Sequence, residues 1–496
     1  MAELIKRARR AGVVFALATS LLAAVPGVAA AELTALPDQT WGVVGLYDSL
    51  TTDTPSEVMA IEQIGNTIYV GGQFLEVVRK RNEPHHDQPF LAAFDATSGE
   101  WIDWWRPDLN GPVFALEASP DGSRLYVGGE FTQVNGIGDT RGLVALDPAT
   151  GEVDGSFTAV IEGAPNITSP GVVRTLRAVS SWVYVGGSFN YMTGPDLDSR
   201  TRIYRVGRVS AANGTPDASW RPFVTGGSVW GLDVDESRGR VYLAGFFEAV
   251  DSEPDTGNFV AVRTSDATPF TDLERFPVLT PQQPHQFEVL VDGESVWVVG
   301  TQHLVQKLDA TDLSLQRRWF TGYEAGFPIG GDYQSVGILG DRIYASCHCW
   351  GVIRELPPSV TTLNEARAVP VAGEIQGIQA FDRTTGDWID TWEPDLNGPL
   401  GGWAMHGAPD GCLWAGGDFN RTAVGDQYSN GVVRFCDEAG QGPPAGPPLE
   451  EPPDESEPNP PSRPTAPDVG NGPGDDVIFS WNASTDDTGI ATYVVY

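Results

Sequence analysis

Few residues in this sequence combine type and spacing as chemistry requires. His85-His86-Asp87 sets two imidazoles and a carboxylate in a row, and Cys347-His348-Cys349 sets an imidazole between two thiols. Asp108 and Asn110 recur as Asp395 and Asn397, within Trp105-Arg106-Pro107-Asp108-Leu109-Asn110-Gly111-Pro112 and Trp392-Glu393-Pro394-Asp395-Leu396-Asn397-Gly398-Pro399. Carboxylates, amides and an aromatic such as Trp350 suit hydrogen bonding and stacking against a ligand. These are the candidate ligand-binding residues. Asp and Asn that recur in phase also serve turns, by bonding their own backbone. Zinc takes four ligands and only three are contiguous around His348, so no metal is assigned and His348 stays the sole, marginal candidate. Among 66 Asp+Glu no pair stands out for acid–base work. No Gly-x-Ser-x-Gly, phosphate-binding Walker loop, dinucleotide fingerprint or His-Glu-x-x-His occurs. No catalytic residue and no cofactor is therefore assigned.

The elements that would position these residues come from a repeat. Tyr69-Val70-Gly71-Gly72-Gln73-Phe74 returns as Tyr126-Val127-Gly128-Gly129-Glu130-Phe131 and Tyr184-Val185-Gly186-Gly187-Ser188-Phe189. Looser copies begin at Tyr242, Trp297 and Tyr344, and Trp414-Ala415-Gly416-Gly417-Asp418-Phe419 restores the pattern. The aromatic-to-aromatic spacings are 57, 58, 58, 55, 47 and 70 residues, the signature of stacked supersecondary units. Each period holds short alternating runs parted by turn signals such as Asp121-Gly122 and Asp147-Pro148-Ala149-Thr150-Gly151. This predicts an all-β, seven-bladed β-propeller of four-stranded antiparallel blades over residues 36–437. The seventh copy lacks a fourth run, so Trp41-Gly42-Val43-Val44 is expected to supply its outer strand and close the ring. The long second-to-third loops and the blade connections should then share one face, bordered by the candidate residues.

The flanks read differently. A basic head, an apolar stretch and a small-residue site make residues 1–31 a secretory signal peptide, and no later segment reaches 18 apolar residues. Residues 438–463 form a Pro/Glu-rich linker, within a stretch carrying 11 Pro in 28 residues. Residues 464–496 look like the opening A to C strands of a fibronectin type III sandwich, with Trp481 in its core. The run stops mid-strand, so a longer gene product is expected. Four cysteines remain after export, an even number. Cys412 and Cys436 fall at neighbouring ends of antiparallel strands and should pair. Cys347 and Cys349 read first as a strained disulfide and second as part of a copper or zinc site with His348.

Formal charge is −35. That excludes the counterion-release term on which nucleic-acid binding depends and disfavours anionic membrane surfaces. A monomer is expected.

The Tyr-Val-Gly-Gly-x-Phe repeats followed by Ala-Leu-Asp-x-x-Thr-Gly resemble secreted bacterial propeller repeats, often fused to fibronectin type III modules. The likeness covers most of residues 55–437 and implies an extracellular propeller, with no catalytic residues to carry over. The strings Ala93–Trp101, Ala145–Gly151 and Ala380–Trp388 also resemble the tryptophan-docking repeats of quinoprotein propellers. There the Asp and Gly shape a hairpin and the Trp locks blades. The quinone does not carry over, since this chain's cysteines are not adjacent. The functional expectation is a non-enzymatic, secreted binding or scaffold protein that presents its loops to an extracellular protein or glycan. The alternative is a polysaccharide-active glycosidase or its accessory module.

Overall fold

A computed structural model describes residues 33–437 except 39, 46–56, 81–82, 164–170, 275–277, 280–283, 323–330, 395, 397–400 and 421–429, together with 468–471 and 477–480. The signal segment and linker lie outside the described residues. In the tail, Asp468–Asn471 and Val477–Ser480 pair antiparallel.

Among the described residues the chain is all-β apart from one short helix, Leu363–Ala368. Each repeat is an antiparallel sheet that starts on an inner strand. Among the described residues the inner strands are Val58–Ile64, Val113–Ala118, Val172–Val179, Val224–Asp235, Gln286–Asp292, Tyr333–Leu339 and Gly402–Gly407. Consecutive inner strands pack on one another, and the last packs on the first. The series therefore returns on itself. Trp414 and Val432 of the seventh sheet share one buried cluster with Val58, Ile68 and Val70 of the first.

The glycine pair explains how the sheets meet. Every inner strand carries a register shift after its first core residue, as between Val113 and Ala115 or Val173 and Thr175. The same shift recurs in the other five. In most units the small dipeptide of the second strand lies opposite that bulge: Val113 faces Gly129 and Ala115 faces Gly128. A Cβ on Gly129 would run into the Pro112 carbonyl, and one on Gly72 or Gly187 into the carbonyl of Glu57 or Val172. The first glycine faces outward to the next sheet. Gly71, Gly128, Gly186 and Gly416 receive the side chains of Val113, Val173, Val229 and Val58. The aromatic two residues before the pair packs tilted or edge-on against the connecting tryptophan, with Tyr69–Trp105, Tyr184–Trp220 and Tyr344–Trp392 centroids 5.0, 5.1 and 5.1 Å apart.

Two expectations need correction. Most sheets have three strands, not four. Among the described residues only the fifth and sixth add a fourth, Leu315–Gly322 and Trp388–Ile389, and the first of these joins the two into one eight-stranded sheet. Elsewhere the fourth run shrinks to single bridges such as Leu146 with Val153 and Val209 with Pro216. Asp154 and Asp217 follow at once, and each accepts from the N–H two residues on (Ser156 and Ser219, both 2.9 Å), turning the chain off the ladder. Second, the closing partner of the seventh sheet is not Trp41–Val44. Leu33 bridges Asp437 and Asp38 bridges Arg434, with Thr34 N–H donating to Cys436 O at 2.9 Å and Asp38 N–H to Arg434 O at 2.8 Å. Gly42–Val44 instead pairs with Glu76–Val78. Its apolar residues are buried beside the first sheet's loop, which is why an apolar alternation there mimicked a closing strand. Cys412 and Cys436 form a disulfide, and so do Cys347 and Cys349.

Candidate functional site

The connections and the second-to-third loops do share a face, and they pair with each other there. Val160–Glu162 pairs with Tyr191–Thr193, Leu109 bridges Val134, and Leu315–Gly322 pairs with the far half of Arg342–Glu355. The inner strands begin at this face, so their bulges sit at its centre.

Those bulges throw one side chain each toward the axis: Met59, Phe114, Arg174, Trp230, Phe287, Gln334 and Trp403 all line a cavity of about 350 Å³. Trp230 lies 5.2 Å from both Phe246 and Phe287 and 6.1 Å from Trp403, and Phe287 lies 5.6 Å from Trp403 edge-on. The Arg174 guanidinium stands over Trp230 at 4.1 Å and Phe114 at 5.2 Å. This is an aromatic mouth with half-exposed faces.

Three residues farther along the same strands, roughly 10 Å deeper at about 3.3 Å per residue, a second layer carries charge. Counted from Val58, Val113, Val173, Val229 and Gly402, the equivalent positions hold Glu62, Glu117, Arg177, Asp233 and His406. Each carboxylate takes a backbone N–H. Ala178 donates to Glu117 at 2.9 Å, Val291 to Asp233 at 2.7 Å and, from a neighbouring position, Val336 to Glu288 at 2.7 Å. An inner strand is an edge strand with unpaired N–H groups, and the preceding sheet's acid satisfies them. Arg177 Nε lies 2.9 Å from Asp233 and its Nη1 3.7 Å from Glu117. Burial pushes the carboxyls up, Glu62 to about 7 and Glu117 and Glu288 to about 8, and pushes His406 down to about 4. The Asp233 carboxylate holds the Arg177 proton more tightly still.

The residues singled out in the sequence are dispersed around this mouth. His85 Nδ1 is 2.8 Å from the buried Glu76 carboxylate, and His86 packs between Trp41 and Trp101 at 5.6 and 4.9 Å. Asp87 is exposed and pairs through its backbone with Glu76. Asp108 donates its N–H to Asn135 Oδ1 at 2.8 Å, and Asn110 Oδ1 accepts from Thr132 and Gln133 N–H at 2.8 and 2.9 Å, so both tie a connection to a loop. Trp350 is 47% exposed on the sixth sheet. Asp395 and Asn397 lie outside the described residues. His348 Nε2 is 3.9 Å from Asp332, which also lies 3.3 Å from His303 Nε2. Burial lowers both histidines, His303 to about 4, and lifts Asp332 to about 7. Joined to each other, Cys347 and Cys349 offer no thiolate, and among the described residues no group of three His, Cys, Asp or Glu is set to hold a metal.

The axial residues went unnoticed in the sequence although a signal existed. An ionisable side chain recurs at one register of strands that otherwise read as core, and only phase alignment of the repeats exposes it.

No family model matches the chain and no curated protein matches it in sequence. Solved β-propellers are similar in fold. The WD40 β-propeller domain of Doa1 is 10% identical with a TM-score of 0.43, over 80% of this chain and 97% of that one. The β-propeller domain of Myceliophteria_thermophila Cps50 (Swd1) is 9% identical with a TM-score of 0.42, over 77% and 97%. The computationally designed Ika8 protein is 10% identical with a TM-score of 0.42, over 80% and 99%.

Two disulfides fit a compartment outside the reducing cytoplasm. No helix among the described residues is long and apolar enough to cross a membrane.

Proposed function

We propose that the chain is a secreted, seven-bladed β-propeller that binds an extracellular protein or glycan at the axial mouth of its loop face, without catalysing a reaction. The observation that carries this reading is the ring of bulge residues. Seven strands each spend a core position on a side chain aimed at the axis, and three of the seven are Trp230, Phe287 and Trp403. Half-exposed aromatics gathered at one concavity are what a binding site needs. Sheet packing alone would not call for them. A fibronectin type III module from residue 464 on, after a spacer, fits the same role as a tether.

Glycoside hydrolysis is the second reading, favoured by carboxyls held near neutral pH. Against it, Glu117 and Glu288 are already committed to backbone N–H groups.

A glycan array and a pull-down from extracellular medium, followed by titration of the captured ligand, test the reading. Trp230→Ala combined with Trp403→Ala should weaken binding by at least about tenfold, the scale of a lost aromatic anchor. His85→Ala combined with His86→Ala should leave it unchanged. The reverse pattern would move the site to the loops, and release of reducing sugar would replace binding with hydrolysis.

A further inference from the structure

Arg174 stands apart from the other enclosed arginines. Arg177 has Asp233, Arg208 has Asp217 at 2.7 Å, Arg434 has Asp38 at 3.0 Å, and Arg318 has the Val360 carbonyl at 2.6 Å. Arg174 is bonded to neither a carboxylate nor a carbonyl among the described residues; the exposed Glu130 acts on it only from beyond ion-pair distance. It rests only on the faces of Trp230 and Phe114, and its Nε is buried without a partner. Desolvation already weakens its hold on its proton, a cost that an incoming anion would offset. Two further polar atoms at the cavity wall are buried and unpartnered: Trp403 Nε1, a donor, and Gln334 Oε1, an acceptor on a residue only 4% exposed.

We infer that the axial mouth selects an acidic glycan, its hexuronate carboxylate bound by Arg174 and Trp403 Nε1 and a sugar face laid on the Trp403–Phe287–Trp230 cluster. This rests on the binding reading above and names its ligand class. The donor set fixes the sign of the ligand: a guanidinium fork and an indole N–H call for an acceptor, and a carboxylate matches the fork with two parallel bonds. A cationic ligand is disfavoured because the Arg174 guanidinium, 4.1 Å over Trp230 at the edge of the ring cluster, would repel it. Nucleic acid is excluded by the charge of −35, whereas one carboxylate meets only the local field. The acids below do not compete for Arg174. Glu117 and Asp233 are turned to Arg177, Glu288 to Val336 N–H, and Glu62 to Gln63 N–H at 2.9 Å. Gln334 Oε1 then remains to accept a sugar hydroxyl. Flat, half-exposed rings suit the C–H face of a pyranose better than a peptide C-terminus, which would want an enclosed pocket for its last side chain.

The test is calorimetric titration of the full chain with a neutral oligosaccharide carrying a single hexuronate residue and with its carboxyl-reduced counterpart of equal length. The acidic form should bind at least about tenfold tighter, the scale of one charge-assisted pair. Arg174→Gln should erase that preference while leaving the carboxyl-reduced sugar's affinity in place. Trp403→Ala should weaken both. Should Arg174→Gln not fold, Arg174→Lys serves instead, expected to keep the charge and the fold and lose most of the preference with the fork. Equal affinity of the two sugars in the natural protein, or a preference that survives both Arg174 variants, would overturn the inference while leaving the mouth a binding site. Capture of a protein ligand at the mouth with no uronate binding would also overturn it. No binding of any glycan or protein at the Trp230–Trp403 face would overturn the underlying reading as well.

Discussion

Replacing Arg177 by methionine is expected to destabilise the protein by about 2–4 kcal/mol, read from the denaturant midpoint at pH 8. Breaking a fully buried ion pair costs about 3–5 kcal/mol, because the orphaned partner keeps its desolvation penalty. The discount reflects that 42% of the Arg177 side chain is open. That opening faces the channel rather than bulk solvent, so screening is partial. Asp233 and Glu117, 5% and 11% exposed, would be left without their cation. The cost should shrink as pH falls. In the folded protein Glu62, Glu117 and Glu288 titrate at about 7, 8 and 8, above the ordinary 4.5, so the native state holds more protons than the unfolded chain across this window. Their contribution is fully present below about pH 4.5 and is lost as pH rises through 8. The variant, with the cation gone, should show a steeper decline from pH 5 to 9 than the natural protein. A pH-independent loss would mean that Arg177 acts by packing, not charge.

Gly129→Ala should cost about 3 kcal/mol, the upper end for an added methyl in a packed core. The atoms it meets are the carbonyl of Pro112 and the ring of Phe131, and the backbone opposite a bulge has no slack. The matching change at Gly155, where a Cβ meets nothing within 4 Å and φ is not left-handed, should fall within about 0.5 kcal/mol of neutral. Thermal melts of the two variants side by side measure the difference. Equal melting points would remove the steric account of the glycine pair.

The repeat and its hairpins were legible because local chemistry specifies them. Gly122 at φ 69° closes the Asp121 turn, and Asp147 Oδ1 accepts from Ala149 and Thr150 N–H before Gly151 turns at φ 75°. The Cys412–Cys436 pair followed from strand ends. Ring closure was legible as a need but misplaced in sequence. The true closing stretch, residues 33–38, has little apolar alternation and is held by backbone bonds and by Arg434, which reaches Asp38 across 396 positions. Fourth strands were overread because an Asp turn two residues into the run is a stronger instruction than the alternation before it. The axial site was not legible residue by residue. Its lining comes from seven strands spread over about 350 residues, and each contributes one side chain that alone looks like an ordinary core or surface position.

The packing of the seventh sheet on the first is locked by residues 33–38, which bond to the seventh sheet's outer edge. Amide hydrogen exchange at Thr34 and Asp38 tests this directly, since each N–H is bonded to the seventh sheet and to nothing local. Both should exchange as slowly as Val183 or Val241 amides in the buried second strands of the third and fourth sheets. Exchange at the rate of a free peptide, with the sheets' own amides still protected, would contradict a ring locked by residues 33–38.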